Sequence, residues 1–370
     1  MSRVFKSLVL DPVEVARWKE NIRRYDCPPA DTTLYALHPH EAMAEVRAAS
    51  RPLNDVYLHG SLVAQATTPS AVTDTLAAFG LPGGPDAVLI DLGREFVEID
   101  PAQHMPVGGL RNPQKPFGAD EIALLGIVQA TGFPFSLIPE AGLDLFMPVS
   151  PTPGRETTRS SKGGARLGWH VDNLPFARPY RPDFLALMGL VSSEPVATSF
   201  ALVDDVLVAL RQHGTDHERT LSRPLFRYAT PASFHFDGSP PVLSDPMPVI
   251  EEDASGRTVL NFNEYTLVAD GGDPEIAAAL AALNAVLGDD TVVREERVSP
   301  GKVLLLSNTR ALHARGEVRG TRYLNRLYGK RDLSALRALR SGGDRVCRFR
   351  FMLTPDEVVA ACRRPGPSLS

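Results

Sequence analysis

The sequence predicts a mainly β fold with flanking helices, of jelly-roll or barrel type, and three observations lead to it. From about residue 141 onward, short β-type runs alternate with turn residues. Helical spacing of apolar residues is concentrated before about residue 131, with one clear later segment at about 273–287. Many short strands at such intervals argue for an antiparallel sandwich or barrel rather than for βαβ units and a parallel sheet.

Taken in order, residues 1–84 read as mainly helical. Pro12 opens a segment in which Val13, Ala16, Trp18, Ile22 and Tyr25 recur at roughly helical spacing. A second helix is expected over about Ala71 to Phe79. It leads through Leu81-Pro82-Gly83-Gly84-Pro85 into the strand-like run Ala87 to Leu92. Acids at Asp120 and Glu121 suit the start of a helix running to Thr131. The core, 85–340, should then carry strands at Leu143–Val149, Arg166–Val171, Phe184–Val191 and Thr198–Val203. A hairpin follows, Pro248–Glu252 and Thr258–Phe262, turned by Asp253-Ala254-Ser255-Gly256. After the helical insertion, with Pro274 in its first turn and Gly288 as its stop, come Thr291–Val298, Lys302–Leu306, Tyr323–Tyr328 and Arg348–Leu353. Residues 341–370 form a C-terminal extension, and 1–370 reads as a single domain. Pro148 to Gly164, rich in Pro, Gly, Ser and Thr, is expected to be a mobile loop over the functional site.

Composition narrows the function classes. The 370 residues are 43% hydrophobic, enough to fill a sizeable core, and carry a formal net charge of −5. Mild acidity without a basic stripe argues against a nucleic-acid partner or a polybasic membrane role. No h-region follows Met1, and no apolar stretch approaches the roughly 18 residues of a membrane span. Cys27, Cys347 and Cys362 are too few and too scattered for a disulfide framework, so reduced thiols and a cytoplasmic location are expected.

The chemistry centres on Trp169-His170-Val171-Asp172-Asn173. On a strand, residues two apart share a face, so His170 and Asp172 present an imidazole and a carboxylate to one point. His313, beyond the strand Val303–Leu306 and the turn Ser307-Asn308-Thr309, is the best third ligand. Two histidines and one carboxylate form the facial set that leaves three positions of Fe(II) open. A histidine two residues from an aspartate also occurs as an ordinary hydrogen-bonded strand pair. Arg322 and Arg326, four apart in an apolar strand, add weight: facing inward they need an anion, and a dicarboxylate suits a guanidinium fork. Two other readings use these residues. One is a Zn(II) hydrolase on the same three ligands; the other is a non-catalytic jelly-roll binding protein in which the histidines only pack.

The sequence resembles the clavaminate synthase-like branch of the Fe(II)/2-oxoglutarate oxygenases, which includes hydroxylases of asparagine, arginine and lysine. The resemblance rests on His170-Val171-Asp172, on Arg178 through Leu187, on Pro195-Val196-Ala197-Thr198, on Asn308 through Arg315, and on Arg322 through Leu327 with Arg331-Asp332-Leu333. It spans roughly residues 85 to 340. It implies a double-stranded β-helix core, cupin-like, with Fe(II) as the metal and 2-oxoglutarate and O2 as cosubstrates. By position, Arg322 resembles the arginine for the distal carboxylate of 2-oxoglutarate, with Arg326 as support, and Thr198 resembles its hydroxyl contact. Thr198 reads equally as an ordinary strand residue. The resemblance implies hydroxylation of an unactivated C–H bond in an amino acid or an amino-acid-derived natural-product intermediate, free or tethered to a carrier protein. No catalytic side chain beyond the metal ligands is implied.

The sequence departs from the family pattern in ways that bear on substrate. Asp172-Asn173 stands where relatives carry Glu and then Asp. An intact carboxylate ligand disfavours halogenation. Asp144 stands where a glutamine usually meets the substrate head group, and Asn261 and Asn263 stand near where acids would meet a cationic side chain. These three, with Asn173, are candidate substrate contacts. In the loop, Arg159, Lys162 and Arg166 read either as a solvated face or as a contact for an anionic substrate or a phosphopantetheine arm. His235 reads as structural.

Overall fold

Two β-sheets stacked face to face, with helices on both outer surfaces, make up the protein in a computed structural model. The structure describes residues 5–25, 43–235, 240–269, 272–339, 349–351 and 353–363, with backbone alone for 43–52. The larger sheet runs β1 (Phe5–Val9), β2 (Ala87–Asp91), β13 (Lys302–Ser307), β6 (Phe184–Ser192), β15 (Arg322–Lys330), β3 (Phe133–Leu137) and β16 (Arg350–Phe351). A short strand, β4 (Met147–Val149), also pairs with β15. The smaller sheet runs β12 (Val293–Glu296), β7 (Thr198–Leu202), β14 (Ala311–Arg315) and β5 (Leu167–His170). Two ribbons, β9 (Ile250–Glu252) with β10 (Thr258–Leu260) and β8 (Arg227–Tyr228) with β11 (Leu267–Val268), lie outside both sheets. This is the jelly-roll arrangement expected from the sequence.

Alternation along the strands explains the layering. In β13, Val303 and Leu305 join an outer core with Trp18, Tyr57, Leu76 and Ile122, while Leu304 and Leu306 face Phe200, Leu202 and Ala311 between the sheets. Being apolar on both faces, such a strand is stable only when covered on both sides. The outer cover of the large sheet comes from α1 (Pro12–Arg23), α2 (Met43–Thr67), α3 (Ser70–Leu76) and α5 (Ala119–Gln129). The small sheet is covered by α7 (Val203–Gln212), α8 (Thr215–Leu221) and α9 (Pro274–Val286). Short helices α4 (Pro101–His104), α6 (Ile138–Ala141), α10 (Ser334–Leu339) and α11 (Pro355–Ala361) complete the described chain. No described helix is long and apolar enough to cross a membrane.

Local chemistry sets the helix starts. Asp11 accepts from Val13 N at 2.8 Å ahead of Pro12, and Asp273 accepts from Glu275 N at 2.8 Å ahead of Pro274. Three expectations are corrected. Phe5–Val9, inside the stretch read as helical, is a strand parallel to β2, because its apolar residues complete the sheet edge. The strand expected over Leu143–Val149 is confined to Met147–Val149, because Gly142 turns the chain at φ 66 and the Asp144 carboxylate caps Phe146 N at 3.0 Å. The chain after Val203 is helical, α7 and α8, where no helix was expected. Cys27, Cys347, His38 and His40 lie outside the described residues. Cys362 is buried, and burial pushes its thiol up to about 12, which leaves it inert as a nucleophile.

Candidate active site

The period of two in β5 places the first ligands. Trp169 and Val171 pack outward into the core under α7 and α9, so His170 and Asp172 turn inward. His313 is the cross-strand partner of His170 in β14, and their rings lie 4.1 Å apart between centroids. The Asp172 carboxylate lies 3.8 Å from His170 Nε2 and 3.8 Å from His313 Nε2. These distances are too long for hydrogen bonds, so three buried polar groups converge without satisfying one another. Each offers a donor atom within 4.8 Å of the others, the one such group among the described residues.

The surroundings prepare these groups for a metal. His170 Nδ1 is 2.8 Å from the Gly168 carbonyl, which selects the tautomer with a free lone pair on Nε2. Burial, with His170 alongside, pushes His313 down to about 3, and burial lowers His170 as well. Both imidazoles are therefore neutral at physiological pH, as metal ligation requires. Burial alone would raise Asp172, but the Arg326 guanidinium beside it holds it below the usual carboxylate range. Arg326 Nη1 donates to both Asp172 oxygens at 3.0 Å. Two neutral imidazoles and one ionised carboxylate suit Fe(II), the fit that matters for this donor set.

Asn308 holds the carboxylate's backbone in place. Asp172 N donates to Asn308 Oδ1 at 2.7 Å, and Asn308 Nδ2 donates to Asp172 O at 2.9 Å and to Pro182 O at 3.0 Å. Asn173, next along, takes the left-handed backbone (φ 56) that turns the chain away after its ligand. Asn308→Ala is expected to weaken Fe(II) binding about 10- to 100-fold, as loss of outer supports does at metal sites. Anaerobic Fe(II) titration measures it.

Arg322 and Thr198 meet in a small cavity of about 40 Å³, walled by His170, His313, Leu185, Leu187 and Leu324. Arg322 Nη2 donates to Thr198 Oγ1 at 3.1 Å. Burial, with Arg315 nearby, pushes the Arg322 guanidinium down to about 9, and no acid acts on it among the described residues. A buried cation without an anion is costly, and the carboxylate of a bound dicarboxylate would relieve it. Arg326, expected as support for the cosubstrate, lines the same small cavity; its Nη1 meets both Asp172 oxygens and its Nη2 donates to Met147 Sδ at 2.9 Å.

A larger cavity of about 460 Å³ opens on the same ligands, and His170 and Arg326 line both. Of the four candidate substrate contacts, Asn173 and Asn263 reach it. Asn263 spends its side-chain oxygen on Tyr265 N and Thr266 N, both at 3.1 Å. Asp144 does not reach it. Its carboxylate accepts from Tyr57 OH at 2.6 Å and faces Arg111 at 3.7 Å, in a buried ionic network behind the large sheet. Asn261 is also turned away, bonded to Arg181, Pro248 O and Glu251. His235 bonds Thr230 O, a structural role as expected. The sequence reading missed Glu140. From the single turn of α6 it enters the cavity, where Asn173 Nδ2 donates to it at 3.2 Å and Arg326 Nη2 lies 3.8 Å away. A lone acid inside the apolar run Phe135 to Ala141 was the available signal.

The family pattern described as "Taurine catabolism dioxygenase TauD, TfdA family" matches residues 129–328, more than half of the chain, and takes in every residue of both cavities' metal and arginine set. The chain belongs to the TauD/TfdA dioxygenase family. It is accordingly a 2-oxoglutarate-dependent dioxygenase, with Fe(II) as the metal, and the hydrolase and binding-only readings drop out. Within the TauD/TfdA fold, it is similar to an asparagine oxygenase solved with Fe(II), (2S,3S)-3-hydroxyasparagine and succinate. That match has a TM-score of 0.69 at 24% identity and covers 94% of this chain and 99% of the other. The non-heme iron oxygenase OrfP, solved with Fe and alpha-ketoglutaric acid, is similar at TM-score 0.67 and 22% identity, covering 91% and 98%.

Proposed function

We propose that this dioxygenase hydroxylates an unactivated C–H bond of an amino acid, or of an amino-acid-derived natural-product intermediate, in the cytoplasm. The observation that carries the reading is the pairing of Glu140 and Arg326 on the floor of the larger cavity, beside Asp172. At 3.8 Å the two charges are not tightly bonded; Glu140 retains capacity for a cation, and Arg326, with Nη1 on Asp172 and only the Met147 sulfur on Nη2, retains Nη2 for an anion. A zwitterionic head group, its ammonium on Glu140 and its carboxylate on Arg326 Nη2, matches that pair. Burial pushes the Glu140 carboxyl up, opposed by Arg326, so a bound ammonium would favour its ionised form. The hydroxylated amino acid in the asparagine oxygenase structure, 3-hydroxyasparagine, supports the same reading.

His170, Asp172 and His313 would hold Fe(II), and Arg322 with Thr198 would hold the distal carboxylate of 2-oxoglutarate. Metal and cosubstrate together supply the oxidising power for C–H cleavage; the chain supplies orientation and a dry cavity. Asn173 and Glu140 fix where the head group sits, and hence which carbon faces the metal.

The test is succinate release from 2-oxoglutarate across a panel of amino acids, free and as pantetheine thioesters. At least one should stimulate release. Glu140→Gln should then raise the KM for that substrate by roughly tenfold or more, the effect of losing a charged hydrogen-bond partner. A panel without any stimulation would overturn the reading.

A further inference from the structure

We propose that the substrate's side chain ends in a carboxylate, received by Lys162 from the loop over the larger cavity. The inference rests on the amino-acid reading above and narrows it to acidic amino acids such as aspartate or glutamate.

The loop is a bonded cover. Thr152 N donates to Lys162 O at 2.9 Å, Gly164 N donates to Arg155 O at 3.2 Å, and Arg315 Nη2 holds Gly163 O and Ala165 O at 2.8 and 2.7 Å. Lys162 is thereby aimed into the cavity, and its stem crosses the bend at Gly108-Gly109. A Cβ on Gly109 would lie 2.5 Å from Lys162 Cδ, and Gly109 has φ +79, so both the space and the turn there call for glycine. The half-buried ammonium has no hydrogen bond or ion pair among the described residues. Burial lowers its pKa, Arg155 and Arg326 act in the same direction, and Glu140 opposes them. Lys162 therefore feels the floor of the cavity, where the head group would sit.

The charges in the lining give the sign of the missing partner. Its acids are Glu140 and Asp172; its cations are Arg155, Arg159, Lys162 and Arg326. Arg326 gives Nη1 to Asp172 and would give Nη2 to the head group's carboxylate, and Glu140 would answer its ammonium. Arg155 and Arg159 are both exposed, at the mouth, where Arg159 stacks on the Tyr265 ring at 4.7 Å. That leaves Lys162 as the inner cation without an anion among the described residues, since both charges of the head group are then already paired. A neutral or cationic side chain would leave it unpaired, whereas a carboxylate pairs with it.

The experiment measures KM by succinate release with aspartate, glutamate, asparagine and glutamine, each as free acid and as pantetheine thioester. The enzymes are the parent, Lys162→Gln, Lys162→Glu and Arg166→Gln. Arg166 carries the same charge in the same loop but pairs with Glu264 outside the cavity. One acid should be preferred to its amide. Lys162→Gln should raise that acid's KM roughly tenfold or more while moving its amide less than about threefold, and Arg166→Gln should stay within about twofold. Lys162→Glu should abolish use of the acid. Amides used as well as acids, or equal shifts for both in Lys162→Gln, would overturn the inference and leave the amino-acid reading standing. Failure of all eight compounds to stimulate succinate release would overturn the inference, and the amino-acid reading falls with it only if the wider amino-acid panel also gives no stimulation.

Discussion

Replacing His313 by alanine is expected to remove Fe(II) binding and turnover while leaving the protein folded. The imidazole Nδ1 has no hydrogen-bond partner, and Nε2 lies 3.8 Å from Asp172, so the side chain's polar atoms are not spent on holding the fold. Its loss takes one of three donors. Because removing only an outer support of a metal site costs 10- to 100-fold, removing a donor should weaken iron binding by at least about 100-fold. Anaerobic reconstitution with Fe(II) and 2-oxoglutarate, read by the visible absorption of the chelate, measures the binding, and circular dichroism checks the fold. A folded His313→Ala protein that still gives the parent's absorption would remove His313 from the ligand set.

Replacing Arg322 by methionine is expected to separate stability from function. In the absence of cosubstrate the guanidinium is buried, opposed by Arg315, and bonded to a hydroxyl rather than to an acid. An uncompensated buried charge lowers stability, so its removal should leave the unliganded protein as stable as the parent or more stable by about 1 kcal/mol. With 2-oxoglutarate the sign reverses. The lost charge-assisted contact is worth about 2 kcal/mol or more, and KM for 2-oxoglutarate should rise at least about 30-fold. Thermal melts with and without 2-oxoglutarate display both effects: the parent should gain in Tm on adding it, and Arg322→Met should not. Arg322→Lys should fall between, since it keeps the charge and loses the fork. A variant with a lower unliganded Tm and an unchanged KM would contradict this account.

The core and the convergence of His170 and Asp172 were legible in the sequence for a shared reason. Strand period forces Trp169 and Val171 one way and His170 and Asp172 the other, and the same rule sorts Val303, Leu304, Leu305 and Leu306 between two cores. Substrate contacts followed no such rule. Asp144 and Asn261 read as substrate contacts only from their place in the family pattern. Each is turned away by partners distant in sequence, Asp144 by Tyr57 and Arg111 and Asn261 by Arg181. Glu140 was passed over because one turn of helix, Ile138–Ala141, has no periodicity to read, and its cavity is closed by residues far along the chain. The partner of Arg326 was hidden for the same reason: two inward arginines on one strand look alike until the opposite wall, with Asp172 on it, is in place.

His170, Asp172 and His313, the proposed metal donors, belong to the small sheet and its continuation, whereas Arg322 and Arg326 stand on β15 of the large sheet. What spaces them is the apolar layer between the sheets, which includes Leu185, Leu187, Phe200, Leu304 and Leu324. That layer acts as a ruler between the oxidant's seat and the anchor of its fuel. Shaving a side chain from it would change a working distance as well as a stability, so conservative trimming there should loosen the coupling of 2-oxoglutarate consumption to product before it unfolds the protein.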